Sequence, residues 1–545
     1  MTHSRMLRAI LSPIILVAIA ATLVGCPDNQ NSPLGTNLGE VRYYTPSWPF
    51  INLFKMANEW ISGSGYTWND HQPLDLDEHG WVRSLQPGQI ARTLILRTEP
   101  VYPGGQYHVL YDGEGTILYD FAATKNEAAS VPGHDIIDVV PSVSGIAIYI
   151  TETNPGNYIR NIRVTMPGGV SASDPTVFIE DPSSVEPDSV VEFWKCSRNQ
   201  IFHPHFLERL RQYRTIRFMD WMHTNFSPVE TWADRAEPAD ARYSSKAGVP
   251  VEVMCALANQ LNAEPWFCIP HMADDDFVAR FATIVRDQLN PSLKAHIEYS
   301  NEVWNGGFSQ SAYCRDMGLA LGLDTGDSKA RVYYYSQRSV EIFQIFEQVF
   351  GGTERFVRVM GSQAANAGVS ENALKFNDAY LYTDALAVAP YFGGYLGSAA
   401  TQDAVCAMSL DEFMNELATV ALPQAINWMS NQAIIAARYG VNLIAYEGGQ
   451  HLVGGGTARD NADLNALLDT ANRDPRMADI YTDYLTAWTQ ITDGVFVHFT
   501  QCSAYSKYGR WGTFEYLNQP IDEAPKYAAI QAFIDAAQAA AEEQG

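Results

Sequence analysis

Short apolar runs and longer amphipathic stretches alternate along most of this chain of 545 residues. Residues 249–262 have a helical period, and 264–269 (EPWFCI) follow as an unbroken apolar run of strand length. The same pairing recurs downstream. Helical texture at 206–212 precedes a strand at 215–219, and the helical 277–289 precede a strand at 295–299 (AHIEY). A long helical stretch, 309–350, leads to a strand at 355–360, and another strand follows at 385–389. A helix over 412–439 leads to 443–446, a helix over 477–492 to 494–499, and a helix over 524–541 ends the series. Upstream, 40–47 (EVRYYTPS) have strand character, and 50–61 carry apolar residues at helical spacing. The count of eight strands alternating with helices predicts an α/β fold, a (β/α)8 TIM barrel.

One stretch breaks the alternation. From residue 63 to 190, Gly and Pro recur every few positions between short alternating runs such as ARTLILR, TILYDF and IAIYIT. Turn pieces such as Tyr102-Pro103-Gly104-Gly105 and Asp112-Gly113-Glu114-Gly115 separate them. Many short strands with close turns predict an all-β, sandwich-like domain inserted after the first βα unit. It is either a brace on the barrel or a carbohydrate-binding module. The expected organisation is thus 1–26 a signal segment, 27–39 a tether, 40–62 the first βα unit, 63–190 the insert and 191–545 the rest of the barrel.

The beginning of the chain reads as an address. Arg5 and Arg8 form a basic patch before an apolar stretch at 10–24 that is too short for a comfortable membrane span. It ends in Leu23-Val24-Gly25-Cys26, which resembles a bacterial lipobox and implies lipidation at Cys26. A lipoprotein of the cell envelope or cell surface is expected, touching the membrane through that anchor alone. Ordinary cleavage, giving a secreted or periplasmic protein, is the alternative. Six further cysteines, Cys196, Cys255, Cys268, Cys314, Cys406 and Cys502, could pair in an oxidising compartment or remain buried thiols. A formal charge of −26 leaves little to neutralise phosphates and argues against a nucleic-acid partner. Neither CxxC nor HExxH occurs, so no metal site or cofactor is expected.

The candidate chemistry stands where two apolar runs stop. The strand at 295–299 delivers Ser300-Asn301-Glu302, and the strand at 443–446 delivers Glu447. Barrel enzymes keep their reacting groups at the C-terminal ends of strands. Two carboxyls in that position are the sequence form of a glycosidase acid and nucleophile. Trp221, Trp304, Tyr391 and Trp511 offer flat faces for sugar rings, although each taken singly reads as core before platform.

Asn301-Glu302 after the fourth strand, with Glu447 after the seventh, resembles the clan A glycoside hydrolases, a superfamily of retaining (β/α)8 enzymes. The resemblance covers about 40–60 and 195–530, outside the insert, and assigns no family within the clan. It implies that Glu302 is the acid/base, Asn301 a ligand of the sugar 2-hydroxyl and Glu447 the nucleophile. It also implies substrate-binding places for Arg217 on the second strand, His271 after the third and Tyr391 near the sixth. On physical grounds Arg217 would hold the Glu447 carboxyl low, and Glu302 beside Trp304 would start protonated. The eighth strand departs from the clan pattern: His498-Phe499-Thr500-Gln501 stand where a Trp is usual, and Trp511 comes only later. Two rival readings remain: a non-catalytic carbohydrate-binding lipoprotein with a degenerate barrel, and a metal-dependent hydrolase using Asp274 to Asp276, His271 and His451.

Overall fold

The computed structural model describes residues 29–542; Cys26 and the signal segment lie outside the described residues. Eight strands close into a barrel, all neighbours parallel: β1 (Leu34–Asn37), β2 (Thr215–Arg217), β3 (Glu264–Ile269), β4 (Ala295–Tyr299), β5 (Phe356–Ser362), β6 (Ala385–Val388), β7 (Asn442–Ala445) and β8 (Phe496–His498). Every residue of β3 and β4 is buried. Helices cover one face of the barrel sheet and side chains fill the interior, so these strands read as continuous apolar runs.

The first unit differs from expectation. The opening barrel strand is β1, seated between β2 and β8, and 40–47 are a turn-rich loop beyond its C-terminal end. Residues 29–37 are therefore part of the barrel rather than a tether: Asn29 Nδ2 donates to the carbonyls of Tyr213 (3.0 Å) and Leu261 (2.9 Å). β1 escapes a hydropathy reading because it is four residues long, with Gly35 at its centre. A Cβ there would lie 2.6 Å from the Thr215 carbonyl oxygen, so no side chain fits. The helix expected at 50–61 is a single 3-10 turn, Leu53–Met56, capped by Asn52, followed by a strand at Ile61–Ser64. Its apolar residues are buried on all sides, between barrel and insert, and not on one helical stripe.

Between β1 and β2 lie all the remaining strands. Two four-stranded antiparallel sheets dominate. One runs in the order Ile61–Ser64, Gln89–Ile95, Ile146–Thr153, Gly115–Phe121; the other Arg160–Thr165, Gly105–Asp112, His134–Val139, Ala123–Lys125. Ile117, Ile148, Val109, Ile137 and Val164 from both sheets join one apolar cluster, which continues into the barrel. Phe54 stacks on Trp81 (5.4 Å, 19°), and Phe50 packs on Trp221 (5.6 Å). The loop after β2 is tied to the insert by Tyr243 N–H to the Lys55 carbonyl (2.7 Å) and Ala241 N–H to that of His79 (2.9 Å).

The six cysteines of the described residues are free thiols, four of them buried. Asp274 caps the helix Asp275–Gln288, accepting from Phe277 N–H at 2.7 Å. Asp275 pairs with Arg338 (2.7 Å) and Asp276 with Arg280 (2.9 Å). The acidic run is occupied in starting a helix, where its charge favours the dipole.

Candidate active site

Arg217, on β2, is fully buried in the barrel and organises what surrounds it. Its Nε and Nη2 donate to Glu298 Oε2 (3.1 and 2.9 Å) on β4. Nη1 donates to Glu447 Oε1 (2.7 Å) and Asn37 Oδ1 (3.1 Å), and Nη2 also reaches Asn301 Oδ1 (3.0 Å). A guanidinium can be buried there because its donors meet carboxylates and amides in fork geometry. One cation, however, serves two buried carboxylates. Glu298 takes further donors from Trp266 Nε1 (2.8 Å) and the Cys268 thiol (3.3 Å). Burial pushes the Glu447 carboxyl up to about 7, against the pull of Arg217, and the charge of Glu302 adds to the rise. The expectation that Arg217 holds Glu447 low is therefore corrected: desolvation outweighs a cation that is shared.

Each of the two glutamates has its own tyrosine. Tyr391 OH donates to Glu447 Oε2 (3.0 Å), and Tyr446 OH donates to Glu302 Oε1 (2.8 Å). Both phenols are raised well above their ordinary range, chiefly by burial, and so remain donors. Glu302 Oε2 accepts from Asn305 Nδ2 (3.0 Å). The chain reaches Glu302 through two left-handed residues, Ser300 (φ 59°) and Glu302 itself (φ 40°). A non-glycine backbone in that region is strained, and such strain is characteristic of functional turns. Here it turns Asn301 inward, to Arg217 and to Asn225 (3.1 Å), while Glu302 borders an open cleft of about 410 Å³.

Trp304 lines that cleft beside Glu302, its ring edge-on to Tyr335 and Tyr446. Tyr391 lines it too, and its ring meets Trp511 (5.8 Å) and His451 (5.4 Å). Trp511 returns to the barrel mouth because its carbonyl accepts from Thr500 N–H (3.0 Å), and Phe499 lies against its ring at 5.8 Å. The loop is anchored below by the fully buried Arg510, paired with Asp469 (2.5 Å). Phe499 and Trp511 together thus supply aromatic surface where the eighth strand lacks a Trp.

Two expected residues stand elsewhere. Trp221 is 2% exposed, stacked on Phe206 (6.1 Å, 10°) and packed on Phe50 and Phe218 in the core, so it offers no face to a ligand. His271 is buried against Tyr313, its Nδ1 without a hydrogen-bond partner, and burial lowers its pKa to about 4; it is hydrogen-bonded to neither glutamate. Sequence reasoning missed Asn37, Glu298, Tyr446, Gln363 and Trp428. Tyr446 carried a signal, since it immediately precedes Glu447. It also missed a polar group beyond β1 and β2: Arg42 donates to Glu40 (3.0 Å) and contacts His223 Nδ1 (2.9 Å). Near them the Asp220 carboxyl is held well above its usual range by desolvation, with the charges of Glu40 and Glu447 adding.

No family model matches the chain, and no curated protein does. Among solved structures it is similar to a 4-O-α-L-rhamnosyl-β-D-glucuronidase from Fusarium oxysporum 12S (13% identity, TM-score 0.37, 60% of this chain and 63% of that one). It is also similar to an endo-β-1,4-mannanase from Thermotoga petrophila (10%, 0.34, 61% and 72%) and a β-glycosidase from Thermosphaera aggregans (12%, 0.32, 64% and 85%). The chain spans less than two thirds of the Fusarium protein.

Proposed function

We propose that this chain is a glycoside hydrolase that cleaves O-glycosidic bonds of an oligo- or polysaccharide by double displacement. The observation that carries the reading is the paired carboxyls at the ends of β4 and β7, each fixed by its own tyrosine, one anchored on Arg217 and the other facing a cleft. In the first step Glu302 gives its proton to the glycosidic oxygen while Glu447 bonds the anomeric carbon and the leaving alcohol departs. In the second, Glu302 takes a proton from water as that water attacks the anomeric carbon and releases Glu447. Asn301, held by Arg217 and Asn225, is oriented to bind a hydroxyl of the sugar. A desolvated Glu447 is a stronger nucleophile once ionised, because no hydration shell must be stripped from it.

The test is a screen of glycans and aryl glycosides, run beside Glu447→Ala. Products released by the native protein and not by the variant support the reading; no turnover of any glycoside refutes it. The extracytoplasmic, lipid-anchored location is proposed on Leu23-Val24-Gly25-Cys26 alone. Mass spectrometry of the protein purified from membranes of a bacterial host should find a diacylglyceryl group on Cys26. An unmodified N-terminus elsewhere would sink that proposal.

A further inference from the structure

We infer that the cleft beside Glu302 is the leaving-group subsite and that it takes a neutral sugar, with Trp428 and Gln363 as its specificity-determining residues. The inference rests on the glycosidase reading above. A general acid must lie alongside the oxygen it protonates, so the space bordered by the acid is where the departing half of the substrate sits. Glu302 lines this cleft directly, whereas Glu447 does not. The cleft's walls come from four successive strand ends. Trp304 follows β4, Gln363 follows β5, Tyr391 follows β6 and Tyr446 follows β7, while Trp428 projects from the helix Leu422–Tyr439.

Its chemistry is that of a sugar site. About 410 Å³ falls within the range of small-molecule pockets, and two indoles and two phenols line it. Among the described residues, the Trp304 and Trp428 indole N–H groups and the Gln363 side-chain amide have no protein hydrogen-bond partner and are not sealed from solvent. They are free to bond hydroxyls while the ring faces cover the apolar side of a pyranose. Among the described residues no Lys, Arg or His lines the cleft, and its one carboxyl is Glu302; His451 stands behind Tyr391, and burial lowers its pKa, which favours the neutral ring. A uronate would meet no cation there and would face Glu302, so a neutral sugar is selected.

Water and an acceptor sugar compete for the same glycosyl-enzyme, and the acceptor must bind in this subsite. The experiment therefore uses the 2,4-dinitrophenyl glycoside of the sugar found in the screen as donor. Free glucose, mannose and glucuronate serve as acceptors, and the ratio of transfer to hydrolysis is read by product analysis. The native protein should transfer to at least one neutral acceptor and at least tenfold less to glucuronate. Trp428→Ala and, separately, Gln363→Ala should each lower the transfer-to-hydrolysis ratio by about tenfold. Because that ratio is internal to one intermediate, a general loss of folding or of active enzyme does not move it. Ratios within twofold of native in both variants would overturn the assignment of the subsite, and equal transfer to glucuronate would overturn its neutrality. A native protein that turns over no glycoside would refute the glycosidase reading itself and this inference with it.

Discussion

Glu302 and Glu447 differ in what holds them, and their loss should differ in kind. On the proposed double displacement, Glu447→Ala leaves nothing to form the glycosyl-enzyme, so activated and natural substrates should both fail, and azide attacking the vacated face should give an inverted product. Glu302→Ala removes the proton donor, which costs on the order of 10²–10⁴ in rate where the leaving group is poor. An aryl glycoside with an acidic phenol needs little protonation, so its first step should survive, and azide should restore turnover with net retention. Equal, small losses for both variants on every substrate would make these glutamates structural. The pH dependence has a definite sign. On the proposed mechanism Glu447 must be ionised to attack, and burial holds it near 7, so kcat/KM should fall as pH drops through about 7. Tyr391 OH donates to the ionised form and lowers that value. Tyr391→Phe should therefore move the limb to higher pH, and a limb that stays in place or moves down counts against the assignment. The same shift acts on stability. Between its ordinary value of 4.5 and about 7 the folded protein keeps a proton that the unfolded chain has released. Stability contributed by this group thus falls as pH rises through that window, and the thermal midpoint of Glu447→Gln should gain on native over it.

At the scale of elements, the strand ends carry the site and the helix starts carry none of it. Asp274 caps the helix after β3, and its neighbours are paired with Arg338 and Arg280. Asp274→Ala should cost about 1 kcal/mol of stability, measured by denaturant unfolding, and leave kcat/KM on the best substrate within twofold. A loss of activity restored by a divalent cation would instead revive the metal-dependent reading. The β4-to-Glu302 turn works the other way: its left-handed residues and its hydrogen bonds serve the orientation of side chains rather than the continuity of a helix or strand.

At the scale of the whole molecule, insert and barrel share one apolar cluster, and the loop after β2 is hydrogen-bonded to the insert. Removing residues 61–192 would strip Phe54, 1% exposed in the intact chain, of its stack on Trp81 and open the apolar cluster that insert and barrel share. An exposed patch of that kind is an aggregation surface. The excised barrel should therefore be insoluble or melt without a cooperative transition, as calorimetry would record. A soluble barrel with native activity would show that the insert is a separable module.

The chain's own pattern determined the barrel and the position of its two glutamates. Strands such as 264–269 and 295–299 could be read to the residue because a barrel strand is buried on both faces, which leaves an unbroken apolar run. Glu302 and Glu447 are conspicuous because the run ends just before them. Only the tertiary structure decided the rest. β1 is short and centred on a glycine that close packing against Thr215 requires, so hydropathy pointed to the more strand-like 40–47. Trp221 faces core and Trp428 faces the cleft, although both are aromatic residues in mixed surroundings, because a side chain's direction is set by what packs around its backbone. The Glu447 carboxyl, expected low, is raised because burial outweighs the pull of Arg217, a cation that also serves Glu298. Local sequence records where burial begins and ends; which distant groups share a cation, a hydroxyl or a cleft exists only once the barrel has closed.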